Sequence, residues 1–247
     1  VEYNKCKITE LIEKNYVFAS VLYYFGIEFY DYSEHTLEQV CQERGLKVSN
    51  VVSSLESATR QDEQPNLNSL PVEVIIEYLK HSHYLFVKHK LPYIARLIQN
   101  LGSKEVVQCQ AAEDLKFVFP LFIEDFIQHI YKEEDTLFSY ILQLNNALHG
   151  KFHPGRLFYM MENNSVERFA IEHDCHDDEM MGIRHITGDY AIDGCTALHV
   201  KVVYKELQEL EESLLTHAKV ENEILFPKAL QLEKEVKKMW RSKISLN

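Results

Sequence analysis

The feature that most restricts the fold is a pattern that occurs twice, His129-Ile-Tyr-Lys-Glu133-Glu-Asp-Thr-Leu137-Phe138 and His217-Ala-Lys-Val-Glu221-Asn-Glu-Ile-Leu225-Phe226. Both read H-x-x-x-E-x-x-x-L-F. On a helix, a histidine and a glutamate four residues apart share one face, roughly 5–6 Å apart at Cβ, close enough to ligate one metal centre. Two copies offer such a site from two helices.

Neighbouring residues set the direction of these faces. Leu210, Leu214, His217, Glu221 and Leu225 recur at steps of three and four, as do Phe122, Phe126, His129, Glu133, Leu137 and Tyr140. Each His and Glu therefore sits inside an apolar stripe. An ionisable group in a buried stripe needs a partner, because an unpaired buried charge is costly, and a metal ion is such a partner. A single H-x-x-x-E would read as a solvated helical pair; duplication, stripe placement and the shared Leu-Phe tail argue for a ligand set.

Composition agrees with long helices. Apolar residues make up 46% of the 247, with only 8 glycines and 6 prolines, so the expected class is all-α. A net charge of −12 without a Lys/Arg-rich block argues against nucleic acid or an anionic membrane as partner. Five cysteines, at 6, 41, 109, 175 and 195, form no C-x-x-C. Neither a disulfide framework nor a structural zinc site is indicated, and a reducing cytoplasm is the expected compartment. No apolar run reaches 18 residues and no basic-then-apolar leader is present, so neither a membrane span nor export is expected.

Residues 1–60 read as a small helical domain with helices over Ile8 to Lys14, Tyr16 to Tyr24, Thr36 to Arg44 and Val48 to Ser57, with Gly26 and Gly45 as stops and Ser33 or Thr36 as a cap. The polar, proline-containing stretch 61–69 reads as a linker. Residues 70–247 then supply four long helices. The first runs from Pro71 to about Leu101, capped by Ser69, with Ile76, Leu79, His83, Val87, Leu91 and Ile94 on one stripe and a kink at Pro92; His81 and His89 lie off that stripe. The second runs from about Ala111 to before Gly150, with Pro120 near its start. Residues 151–163 read as a crossing loop with room for one helical turn, and His149 and His153 at the surface. The third helix opens at an Asn164–Glu167 capping box and runs to about Tyr190, its stripe holding His173, with His176 as rival. The fourth runs from Cys195 to about Lys237. Short connections make this an up-down four-helix bundle, where facing side chains build metal sites.

The candidate ligands are His83, His129, His173 and His217 with Glu133 and Glu221. Two metals roughly 3.5–4 Å apart could each take two histidines, with the glutamates bridging. This mixture suits iron or manganese better than magnesium or calcium, and differs from the E-x-x-H spacing of ferritin-like sites.

Residues 71–235 resemble the hemerythrin-like domain of the iron–sulfur cluster repair di-iron proteins, the Repair of Iron Centres family. The runs that carry the resemblance are Leu91-Pro92 after His83, His129 through Glu134, Glu172-His173-Asp174, Ile183-Arg184-His185-Ile186-Thr187-Gly188-Asp189-Tyr190, and His217 through Ala229. The small domain resembles the family's N-terminal one through Tyr24-Phe25-Gly26-Ile27 and Thr36 to Cys41, but Phe29 to His35 lacks the cysteine pair usual there. The resemblance implies two iron ions, with His83, His129, His173 and His217 as terminal ligands and Glu133 and Glu221 bridging. It favours His173 over His176, and carries the first-helix ligand to His83 with His81 as the alternative. Glu134, Tyr84 and His176 would stand behind the ligands, orienting them or supplying protons. It implies repair of iron–sulfur clusters damaged by oxidative or nitrosative stress, through iron donation or nitric oxide chemistry. Alternatives are a dioxygen or nitric oxide carrier or sensor, and a di-iron nitric oxide or peroxide reductase. The expected partners are a small diatomic ligand, damaged iron–sulfur proteins and a second copy of the chain in a homodimer.

Overall fold

The computed structural model describes residues 3–59, 67–102, 110–174, 179–193 and 196–244, without the side chains of 172–174 and 242–244. Among these residues the regular structure is helical, apart from one isolated bridge between Lys7 and Thr36. No described helix is long and apolar enough to cross a membrane. The chain divides into two compact units. One comprises residues 1–64, 93–116 and 186–209, the other residues 65–92, 117–185 and 210–247.

The first unit opens with α1 (Ile8–Lys14), α2 (Val17–Tyr24), α3 (Leu37–Glu43) and α4 (Val48–Ser57), within two residues of the spans expected from sequence. Thr36 is the cap: its hydroxyl accepts from Gln39 N–H, and the Gln39 side chain accepts from Thr36 N–H at 2.9 Å. This reciprocal pair satisfies two donors that the first helical turn cannot. Gly26 and Gly45 end their helices with φ of +73° and +66°, a region costly for residues with a Cβ. Ile8, Leu11, Leu22, Leu37 and Leu55 are fully buried here. In the same unit His199 stacks on Tyr30, with ring centroids 4.7 Å apart, and its Nε2 lies 3.0 Å from the Leu97 carbonyl.

The long helices contain turns that the sequence does not announce. Each of three is interrupted by a short π segment, in which the hydrogen bonds span five residues. The first helix is α5 (Val72–Leu85), a π segment Phe86–Lys90 and α6 (Leu91–Gln99). The second is α7 (Gln110–Lys132), a π segment Glu133–Phe138 and α8 (Ser139–Leu148). The fourth is α12 (Leu198–Val220), a π segment Glu221–Leu225 and α13 (Phe226–Ile244). Leu91 N–H donates to Phe86 C=O and Phe226 N–H to Glu221 C=O, each across five residues. Pro92 and Pro227 follow directly, so the wide turn falls where proline removes a donor and crowds the preceding turn. Pro120 lies inside α7.

Four expectations are corrected. Leu67–Ser69 forms a 3₁₀ turn, so Pro71 and not Ser69 precedes α5. Residues 154–163 form a helix, α9 (Pro154–Asn163), because Pro154 sits at its first position, where a missing N–H costs nothing, and His153 accepts from Arg156 N–H. Asn164 closes α9 and does not open the next helix. The third helix does not run unbroken: α10 (Val166–Asp174) and α11 (Met181–Thr187) are separate, with Glu179 and Met180 in a turn before α11.

The second unit is a helical bundle in which α13 packs on α8 and α10, and α5 on α8. Its core includes Leu79, Phe138, Ile141, Leu144, Leu225, Phe226 and Val236. Within it Tyr140 donates to buried Glu233 at 2.6 Å, and Lys237 Nζ stands 3.4 Å from the other Glu233 oxygen. Tyr140→Phe is therefore expected to cost about 1–3 kcal/mol by leaving that carboxylate without its donor. Tyr140→Phe with Glu233→Met should recover most of the loss in urea unfolding, and a single variant as stable as the parent would contradict the account.

Candidate metal centre

Four side chains from three helices converge in the second unit. His83 projects from the buried stripe of α5, Glu133 and Glu221 each open a π segment, and His217 lies in the last turn of α12. Their ligating atoms all lie within 4.8 Å of one another. His83 Nε2 is 3.0 Å from His217 Nε2 and 3.4 Å from Glu133 Oε2, and His217 Nε2 is 3.0 Å from Glu221 Oε1. His83, Glu133 and Glu221 are 3%, 7% and 1% exposed, and the His217 side chain 10%.

Packing and one hydrogen bond fix the rings. His83 lies parallel to Phe138 at 5.8 Å, and Phe86 meets the His217 ring edge-on at 5.8 Å. Glu134 Oε1 stands 2.8 Å from His83 Nδ1. A proton on that nitrogen leaves Nε2 as a lone pair facing the other three groups.

The donor set fits a cation better than it fits itself. Among the described residues neither Glu133 oxygen has a hydrogen-bond partner, and the Nδ1 of His217 has none either. Burial, reinforced by the neighbouring Glu221, pushes the Glu133 carboxyl well above the usual carboxylate range. Burial and the adjacent His217 push His83 down. Both shifts record charge that the site cannot carry alone; a divalent cation would hold Glu133 ionised and keep His83 neutral, as a ligand must be. Two imidazoles and two carboxylates without a thiolate suit iron or manganese.

The other candidates fall in different places. His129 lines the same cavity, with Nδ1 3.9 Å from Glu179 Oε1 and its side chain 28% exposed, outside the group of four. The His173 side chain and all of His176 lie outside the described residues. His81 is exposed, and Tyr84, 53% exposed, stacks on His81 and meets His89. Tyr84 therefore does not stand behind a ligand: it is the next residue after His83, turned about 100° around the helix. Glu134 does stand behind His83.

The group borders a cavity of about 80 Å³, room for a few waters or one di- or triatomic ligand, given roughly 10–15 Å³ on this measure for one water. Phe126, Leu214, Leu215 and Met180 give it apolar walls, and Glu179, Arg184 and Glu211 add charge. The sequence reading missed those three. Arg184 lay in a run that carried the family resemblance; Glu179 and Glu211 had no signal of their own.

Residues 74–229 match the family described as the Hemerythrin HHE cation binding domain, and the chain belongs to that family. Its relatives include the iron-sulfur cluster repair protein YtfE of Enterobacter sp. (strain 638), 24% identical over 199 residues, which are 80% of this chain and 84% of that one. The YtfE proteins of Escherichia coli O8 (strain IAI1) and O157:H7 match with the same identity and coverage.

Proposed function

We propose that the chain is a non-haem di-iron protein that helps restore iron–sulfur clusters damaged by oxidative or nitrosative stress. The observation that carries this reading is the buried His83–Glu133–His217–Glu221 group, whose ligating atoms all lie within 4.8 Å of one another. The names of the YtfE relatives supply the direction toward cluster repair. His83, His129, His173 and His217 would be terminal ligands and Glu133 and Glu221 would bridge. Bound iron would supply redox change and open positions for a small ligand. The chain's own residues orient the imidazoles, through Glu134 behind His83 and through the rings of Phe138 and Phe86 packed against His83 and His217.

The stretch that carries a cysteine pair in the repair family is here aromatic packing, with Phe29 edge-on to His199 and Tyr30 stacked on it. The proposed repair role accordingly rests on the metal site and not on thiols there. The 80 Å³ cavity beside the group has room for nitric oxide or dioxygen, and binding of either at the same centre is the second reading.

Elemental analysis of protein purified without chelator is expected to show about two irons per chain. That protein should restore activity to a labile [4Fe–4S] enzyme inactivated with nitric oxide. A chain that refuses ferrous iron under anaerobic, reducing conditions would sink the reading; an iron-loaded chain that restores nothing but binds nitric oxide reversibly would favour the carrier.

A further inference from the structure

Tyr140 follows Glu133 by seven residues on the second long helix and is fully buried. At 1.5 Å per residue that separation is roughly 10 Å along the helix axis, short enough for an electron to tunnel in a single step. Leu137 and Phe138 fill the interval in the same core, and Phe138 lies parallel to the His83 ring at 5.8 Å. The phenol is walled off from solvent but near the ligands.

Its proton has a place to go. Tyr140 O–H donates to Glu233 Oε1 at 2.6 Å, and Glu233 is itself 4% exposed. Burial and that carboxylate hold the Tyr140 hydroxyl above its usual range, so the resting group is a phenol whose hydrogen points at a base. The other Glu233 oxygen stands 3.4 Å from Lys237 Nζ, whose side chain is 48% exposed, which gives a proton on Glu233 a polar route out of the core. An oxidised phenol is a strong acid, so a tyrosine yields an electron readily only where its proton can leave at the same time. Tyr84 is next to His83 in sequence but is 53% exposed, and its ring meets His81 and His89.

We propose that Tyr140 is a redox-active residue that delivers one electron to the metal centre when hydrogen peroxide is reduced there, with Glu233 taking its proton. The proposal rests on the metal reading above. Reducing one peroxide to two waters takes two electrons and two protons. One electron comes from bound ferrous iron, which becomes ferric, and the other from Tyr140, which becomes a neutral tyrosyl radical. The peroxide O–O bond and the Tyr140 O–H bond break; the phenolic proton turns Glu233 into a carboxylic acid, and the protons of the new waters come from solvent. A one-electron reductant of the ascorbate class then restores the phenol, which takes its proton back from Glu233.

The test is electron paramagnetic resonance of the ferrous, iron-loaded protein frozen at intervals after addition of peroxide, with iron content measured on the same samples. The parent is expected to show a tyrosyl radical whose hyperfine splitting collapses when the protein is made with ring-deuterated tyrosine. Tyr140→Phe should keep its iron and lose the signal; Tyr84→Phe should keep both. Glu233→Gln retains an acceptor oxygen but no base, and should slow radical formation by about 100-fold or more, the lower bound for a positioned proton acceptor. An iron-replete parent without a tyrosyl signal overturns the proposal alone, as does a signal that persists in iron-replete Tyr140→Phe. Radical formation at the parent rate in Glu233→Gln overturns it too, since the pair would then be a structural contact and nothing more; that variant decides the matter if Tyr140→Phe fails to hold iron. A parent that takes up no iron overturns the metal reading and this proposal with it.

Discussion

Replacing Glu133 with methionine is expected to abolish metal binding and, in the same variant, to raise the melting temperature of the metal-free protein. The two effects have one cause. Glu133 is 7% exposed, its oxygens lack hydrogen-bond partners among the described residues, and Glu221 lies close enough to push its carboxyl further toward the neutral acid. Without a cation, such a group costs about 1–3 kcal/mol, and an apolar side chain of similar volume removes the cost, as for other buried charges replaced by well-packed hydrophobes. For a chain of this size the gain should appear as roughly 2–4 °C per kcal/mol. With metal the order inverts: a ligand at about 1,000 times its dissociation constant stabilises the parent by about 4 kcal/mol and leaves the variant unchanged. Calorimetric scans of both proteins with chelator and with ferrous iron would show the crossing. A metal-free variant that melts below the parent would mean that Glu133 is held by contacts other than a cation. His217→Ala should also lose metal, but without the gain, because it opens a void beside Phe86.

The second large effect lies in the other unit. His199 is 8% exposed, and burial holds its imidazole down at about 4, opposed only by the bond to the Leu97 carbonyl. In the unfolded chain a histidine titrates near 6.5. Above that value the imidazole is neutral in both states and contributes no pH dependence. As the pH falls from about 6.5 to about 4, the unfolded chain takes up a proton that the folded one refuses, so stability falls. The slope is about 1.4 kcal/mol per pH unit and the total about 3 kcal/mol; below pH 4 both states are charged and the loss stops growing. His199→Gln keeps a donor for Leu97 but does not titrate. It should be the less stable protein at pH 7.5, through lost stacking on Tyr30, and the more stable one near pH 4.5. Urea midpoints across that range test it, and parallel curves for the two proteins would contradict the assignment.

Much of this was legible in the sequence because burial and ligation use the same periodicity. The stripe through Ile76, Leu79 and His83 and the stripes through the two H-x-x-x-E copies placed a histidine or glutamate exactly where a core residue would stand, and His83, Glu133, His217 and Glu221 are brought together. Thr36 was readable as a cap because its partner, Gln39, is local. What could not be read depends on distant contacts or on weak local signals. Glu179, Arg184 and Glu211 meet the cavity through tertiary packing and share no repeat. Pro154-Gly155 read as a loop, although proline also opens helices. His129 satisfies the same spacing rule as His217, yet stands with Glu179 and outside the group of four. Spacing fixes which face a residue occupies, and the neighbouring helix decides what that face meets.

The π segments have a consequence for how such a chain can change. A wide turn is equivalent to one residue inserted into an α-helix, which rotates everything beyond it by about 100°. In both motif helices that insertion begins at the glutamate itself, Glu133 or Glu221, and is followed by core residues such as Ile141, Leu144 and Val236. The angular phase of the ligands is thereby uncoupled from the phase of the core downstream. A lineage can re-aim either half of the helix by gaining or losing a single residue at this joint, and the other half keeps its packing.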